Sequence, residues 1–330
     1  MLTSLKGSKP MYLTAIMIMR RFSYTISLSI SSNNNLSQDL HAAYNNLQTD
    51  GILQLIQQQP TILDEMPPTE IISSCIDAAT TKMGVIRKDQ LSGTINALIA
   101  SSTKPQHALD LLNAFDDTIP THGVHPDVVA LSCAYASSPS STSLLSRAIK
   151  LSKKRTGSSR RKILAASRRR PSPSTSALPS LLAPYGITVL YSDEHYLGVN
   201  KPSGMACYHK RKTSSRDAKR DPSLEDVLTA VNVPLSTLSV DALGMVHRLD
   251  RGTSGCLILA KSDEGHAKLL REFFVRGVRK SYLTLVPPRS GEKVEEEEED
   301  EEGVIDVAVG GRPAMSRYKV KSKYFEDGRE

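Results

Sequence analysis

Cysteine is scarce and scattered in this 330-residue chain. Cys75, Cys133, Cys207 and Cys256 lie no closer than 49 positions apart. That leaves no CxxC pair and no zinc-site spacing. Four thiols spread so widely argue against a disulfide-stapled secreted domain, and most read as small buried hydrophobes. Long apolar runs are missing too. The longest, Met11 to Met19, has nine residues and contains Thr14, too few to span a bilayer as a helix, so no membrane partner is expected. Glycine (19) and proline (18) are present in ordinary amounts, which excludes collagen-like and low-complexity classes. The first 38 positions lack any acid and hold Lys6, Lys9, Arg20, Arg21 and many serines. Such a start reads as an organelle transit peptide over 1–38, addressed to the mitochondrion or alternatively the plastid. Arg20–Arg21 directly after the apolar run disfavour a secretory signal.

The 42 basic residues outnumber the 35 acids for a net charge of +7, and the excess is local. Residues 147–170 hold eleven Lys and Arg and no acid. With the Ser/Pro-rich stretch Pro171 to Ser180, the segment 155–183 reads as a flexible basic linker able to make sequence-independent phosphate contacts. Before it, 39–154 reads as all-helical. Short periodic stretches over Asp39–Leu47 and Ile52–Gln58 precede a third after Pro67–Pro68. Leu91, Ile95, Leu98 and Ile99 then share one helical face, as do Ala108, Leu111, Leu112 and Phe115. Gly123 and Pro126 break the chain before Val128, Leu131 and Tyr135, and Leu144, Leu145, Ala148 and Ile149 form the partner stripe. Paired short helices suggest a solenoid-like array of helical hairpins. One unit, Asp89 to Asp127, carries Ala108–Leu109 and then Gly123, Val124, Pro126 and Asp127, and it resembles a pentatricopeptide repeat. That resemblance implies contact with single-stranded RNA in organelles; a generic helical hairpin fits the same pattern.

From Tyr185 the pattern changes to strands with one helix, giving an α+β class with a mixed or antiparallel sheet over 184–330. Strands are expected at Ile187–Tyr191, Leu197–Asn200, Cys256–Ala260 and Ser281–Val286. A helix is expected at Asp263–Arg276, capped by Ser262. Glu295 to Glu302 is a run of eight acids. Consecutive carboxylates repel and diverge, so 292–303 reads as an acidic loop insertion and not as a metal site.

The densest polar stretch is His247-Arg248-Leu249-Asp250-Arg251-Gly252-Thr253-Ser254-Gly255. It lies between the apolar segments Leu243–Val246 and Cys256–Ala260. Two expected strands would hold this loop still, as a catalytic group needs. Arg248 and Arg251 flank Asp250, and a nearby cation would keep that carboxylate ionised. Two readings stay open on these grounds: a nucleophilic carboxylate, or a turn-capping aspartate in a surface ion pair.

"HRLDRGTSG" followed by "LILAKS" and "RKSYLTLV", with "DEHYLGVNKPSGM" upstream, resembles the RluA-type pseudouridine synthases. The resemblance implies an isomerase that converts uridine in RNA, tRNA or rRNA, to pseudouridine with no redox change, and so without metal or cofactor. It assigns Asp250 as the attacking carboxylate and Tyr282 as the uracil-pocket tyrosine and proposed base for the C5 proton. Arg248 becomes the side chain entering the RNA stack as the target flips out. Leu249, Arg251, Thr253, Ser254 and Gly255 shape the loop and the substrate contacts, while His247 reads as structural. No partner besides RNA is implied, and a monomer is expected. After Asp327-Gly328-Arg329-Glu330, the family would continue with a strand and a "Thr-Gly-Arg-x-His-Gln-Ile-Arg" segment. The expectation is therefore an incomplete catalytic domain, unstable or inactive alone, whose working form comes from a longer reading frame. The rival expectation is a non-catalytic RNA-binding protein with a degenerate synthase half.

Overall fold

The computed structural model describes residues 11–19, 67–80, 88–118, 124–155, 171–209, 221–239, 242–286, 302–307 and 315–325. The expected helices at Asp39–Leu47 and Ile52–Gln58, residues 156–170 of the basic linker, and most of the acidic run lie outside them. Packing divides the chain into two units: Ile30–Val275, and Met1–Ser29 together with Arg276–Glu330.

The first unit begins with α1 (Pro68–Ala79), α2 (Lys88–Ser101), α3 (Pro105–Thr118), α4 (Val128–Ser137) and α5 (Thr142–Arg155). Pro68 and Pro105 open their helices where a missing N–H costs nothing. Asp127 caps α4 by accepting from Ala130 N at 2.9 Å, and Asn96 Nδ2 on α2 donates to the same carboxylate oxygen at 3.3 Å. The expected apolar stripes face inward: Ile71, Leu91, Ile95, Leu98, Leu111, Phe115 and Leu131 are all buried. α1 packs on α2 and α3, and α4 packs on α2, α3 and α5. Three of the four thiols, Cys75, Cys133 and Cys207, are buried, and Cys256 is exposed. Burial pushes the Cys75 and Cys133 thiols up to about 12, so both are inert packing groups.

The same unit continues through α6 (Leu178–Leu182), a 3₁₀ turn (Ala183–Tyr185), β2 (Thr188–Ser192), β3 (Tyr196–Lys201), α7 (Leu224–Ala230), β4 (Gly255–Ala260) and α8 (Asp263–Phe274). From Tyr185 to Phe274 two helices, α7 and α8, stand where the sequence pattern suggested one. α6 forms within the stretch read as flexible linker, burying Leu178 and Leu182. α7 carries a reciprocal cap between Ser223 and Asp226 and buries Leu224, Val227 and Leu228. Its weak signal was Ser-x-x-Asp ahead of three apolar residues. β2, β3 and β4 form an antiparallel sheet in that order. The β2–β3 turn is stapled by Asp193. Its Oδ1 accepts from His195 N (2.8 Å) and Tyr196 N (2.6 Å), and its Oδ2 accepts from the Tyr191 hydroxyl at 2.7 Å. Ser262 caps α8 as expected, accepting from Gly265 N.

α8 packs against both β4 and α4, and Ser152 Oγ on α5 donates to Thr237 O at 2.6 Å in a buried bond. The helical hairpins and the strands around the Asp250 loop thus share one body, although the sequence reads them as separate regions.

His266 of α8 is buried, and loss of solvation pushes its imidazole down to about 4, against a weaker opposing pull from Asp263. The fold therefore holds the neutral ring. An unfolded histidine takes up a proton near pH 6.5, so this contribution is full above that pH and is lost as the pH falls toward 4. The full loss is about 3 kcal/mol. Unfolding free energies from urea titrations at pH 7.5 and pH 4.5 should converge in His266→Leu by about that amount relative to the parent chain. An unchanged gap would refute the assignment.

The second unit contains β1 (Met11–Met19), β5 (Lys280–Val286), β6 (Glu302–Asp306) and β7 (Met315–Phe325), an antiparallel sheet in the order β5-β1-β7-β6. The apolar run placed by the sequence in a leader is thus a strand between two others, with Leu13 opposite Val286 and Ile18 opposite Arg317. Every recorded strand pairing, in both units, is antiparallel. Among the described residues, no helix is long and apolar enough to cross a membrane.

Candidate active site

The segment His247–Gly255 is a loop, and its fixation differs from the expected strand–loop–strand. Leu243–Val246 is a turn, joined to β4 only by an isolated bridge between Met245 and Leu259. Gly244 explains this. Its φ is +66°, and a Cβ there would stand 2.5 Å from Ala260 O. The bare backbone instead exchanges tight bonds: Ala260 N donates to Gly244 O at 2.7 Å, and Gly244 N donates to Ser236 O at 2.9 Å.

The other side of the loop is clamped to the turn that follows β3. Ser203 Oγ donates to Gly252 O at 2.7 Å, Gly204 N donates to Arg251 O at 2.8 Å, and Arg251 Nε donates to Gly204 O at 2.7 Å. Deeper in, the buried Cys207 thiol donates to Leu249 O (3.2 Å) and accepts from Leu249 N (3.4 Å). Leu249 itself is buried and anchors the loop. Thr253 N closes a turn on Asp250 O at 3.1 Å. His247 stacks on Phe273 with ring centroids 4.7 Å apart, and its Nε2 accepts from Ile258 N at 3.1 Å. That bond leaves the ring proton on Nδ1 and supports the structural reading of His247.

The two arginines do not serve the carboxylate as expected. Arg251 binds Gly204 O and the Asp221 carboxylate (3.1 Å). Arg248 donates to the Tyr208 hydroxyl at 3.3 Å and lies over the Tyr208 ring, 5.4 Å from its centroid. Adjacent positions in a tight turn project in different directions, so sequence neighbours need not be spatial partners. Asp250 is exposed, and among the described residues its carboxylate accepts no hydrogen bond. The cation that feels its charge is Lys201.

Lys201 is fully buried at the end of β3, and its ammonium donates to Pro202 O (3.0 Å) and Met205 O (2.8 Å). Loss of solvation holds its pKa below the ordinary lysine value, opposed by the Asp250 carboxylate. Lys201, Ser203, Gly204, Cys207, Tyr208 and Asp221 are thus parts of the site that the loop's own sequence does not reveal. The Asn-Lys-Pro-Ser-Gly spelling marks the turn; nothing in it shows that the ammonium is buried.

Five of the six site residues expected from sequence, Arg248, Leu249, Asp250, Arg251 and Thr253, share this loop. Tyr282 stands on β5 in the other unit, half-buried and paired opposite Met17. Side chains alternate along β5: Leu283 is 68% exposed while Tyr282 and Thr284 are turned partly inward.

Residues 195–329 match the family model described as RNA pseudouridylate synthase. Ribosomal large subunit pseudouridine synthase C of Escherichia coli (strain K12) is 31% identical over 146 residues, covering 41% of this chain and 41% of that protein. RNA pseudouridine synthase 2, chloroplastic, of Oryza sativa subsp. japonica is 29% identical over 185 residues, covering 43% and 42%. Ribosomal large subunit pseudouridine synthase D of Nitrosomonas europaea is 26% identical over 152 residues, covering 42% and 39%. The chain spans about two-fifths of the length of these curated relatives. No solved structure gives a significant match.

Proposed function

We propose that this protein is an RNA pseudouridine synthase of the RluA type, with Asp250 as the attacking carboxylate. The observation that carries the reading is the exposed Asp250 side chain on a loop pinned from both sides, within the segment homologous to the synthases. Isomerisation breaks the N1–C1′ bond of a uridine and joins C1′ to C5. The C5 proton leaves and N1 regains one, so atoms balance without a redox partner. A target base buried in a stack must swing out first, at a cost of a few kcal/mol. Arg248 leaves the Tyr208 ring and stacks in the vacated space, a reading supported by its exposure and its contact with that ring. Leu249, Arg251 and Thr253 hold the loop, and Tyr282 acts on the extruded uracil. Replacing Asp250 with Asn and mapping pseudouridine by carbodiimide-primed reverse transcription tests the reading: sites must disappear with the carboxylate.

The pentatricopeptide-like reading of 39–154 belongs to the same proposal, supported by the packing of α2 on α3 and of α4 on α5. So does an organellar address. The rice relative is named chloroplastic, which favours the plastid over the mitochondrion. Removal of residues 1–38 would take β1 out of its sheet, so the two features compete. Sequencing the amino terminus of protein isolated from the organelle decides between them. A start near residue 39 supports the leader, and a start before Met11 supports the strand and overturns the leader.

A further inference from the structure

The helical half of the first unit carries a second feature, a cleft rimmed by basic side chains, that the Asp250 loop does not use. A cavity of about 480 Å³ opens between the end of α3, the His125–Pro126 segment and the outer face of α5. It is lined by Asp116, His125, Arg147, Lys150, Lys153 and Lys154, with Leu151 at its wall. Arg147 consumes the single carboxylate, reaching Asp116 Oδ2 at 2.5 Å. No carboxylate among the described residues pairs with Lys150, Lys153 or Lys154, all exposed. We infer that this cleft is a docking site for the phosphodiester backbone of RNA, separate from the loop that carries Asp250.

The helix pattern isolates the charge. Leu144, Ala148 and Ser152 are buried on one side of α5, while Arg147, Lys150 and Lys154 form a stripe on the other. Like charges at that spacing disfavour a helix. Cations in the last turn suit the helix dipole, which accounts for Lys153 and Lys154 but not for Arg147 and Lys150 a turn or more earlier. The basic run continues in sequence to Arg170. The stripe is held rigidly, because Ser152 bonds Thr237 O across a buried contact. Spaced cations in a concave, uncompensated groove suit a repeating anion. A lipid surface fits poorly, since no Leu or Ile of α5 is exposed to enter a bilayer.

That the polyanion is RNA rests on the synthase reading; the cleft is tested independently of it. Fluorescence anisotropy of a labelled single-stranded RNA is measured with the full chain from 50 to 300 mM KCl. The triple variant Lys150→Gln/Lys153→Gln/Lys154→Gln should lower the slope of log K against log salt by about 2, near 0.7 per lost single-strand phosphate contact. Affinity at 100 mM salt should fall by about 10-fold or more. Lysine acetylation of the unmodified protein, read by mass spectrometry, should show RNA protecting Lys150, Lys153 and Lys154 but not Lys88. This readout needs no variant to fold. An unchanged slope together with unprotected lysines overturns the cleft, as does binding to phosphatidylserine vesicles that depends on these lysines while RNA binding does not. A normal slope effect leaves the cleft standing on its own, whereas pseudouridine sites that persist in organellar RNA once Asp250 is replaced by Asn overturn the synthase reading without touching the cleft. Pseudouridine formed with an unaltered slope overturns the cleft and leaves the synthase reading standing.

Discussion

Asp250→Asn should lose about 10⁴-fold or more in isomerisation rate while keeping its fold and its grip on RNA. An amide cannot attack carbon as a carboxylate does, and loss of a nucleophile typically removes most of the chemical acceleration. The structure makes this a clean substitution. All the pins of the loop run through backbone atoms or other side chains, and none uses the Asp250 carboxylate. Thermal stability should stay within about 0.5 kcal/mol, the usual range for exposed positions. RNA affinity should be equal or slightly tighter, because one anion disappears from a surface facing a polyanion. Tritium release from RNA labelled at uracil C5 measures the rate directly, since that hydrogen must leave. A variant retaining more than a tenth of the parent rate would remove Asp250 from the mechanism.

Lys201→Met should damage the reaction from beneath. Methionine fills much of the buried stem but leaves Pro202 O and Met205 O without their donor. Bonds to a charged donor are worth about 1.5–3 kcal/mol each, partly offset here by relief from burying an ammonium. A net loss of about 2 kcal/mol is expected. The larger effect is on geometry. The turn at 202–205 holds the Asp250 loop through Ser203 and Gly204, and loosening it displaces the carboxylate. Misplacement by about 1 Å costs about 100-fold in rate. At a temperature well below the melting point, kcat should fall by 10- to 100-fold with KM little changed. Equal losses in RNA affinity and kcat would instead mark a general collapse of the body.

The chemistry-bearing loop was readable because its residue types are concentrated in one stretch bounded by apolar segments. Ser262 was readable as a cap because capping is a local property, and the α2, α3, α4 and α5 stripes were readable from spacing alone. The partners of Arg248 and Arg251 were not. Tyr208 and Asp221 sit 40 and 30 positions away, and only tertiary contacts bring them to the loop. Leu243–Val246 looked like a strand because it is apolar, yet the positive φ of Gly244 makes it a turn. α7 was hidden behind a charged stretch that gives no periodic signal until Ser223. Met11–Met19 carries the composition of a leader and the hydrophobicity of a strand, and composition alone could not rank the two.

The position of α4 between α5 and α8 bears on how the chain is made. Helices emerge from the ribosome in order, and α1 to α5 can begin to collapse as soon as they clear the exit tunnel. One flank of α4 must then wait until residue 274 has been synthesised, well over a hundred codons later. During that interval a greasy ridge stays bare, an invitation to chaperones and to self-association. Nascent chains stalled before Asp263 should therefore be captured by holdases, whereas chains extended past Phe274 should be released.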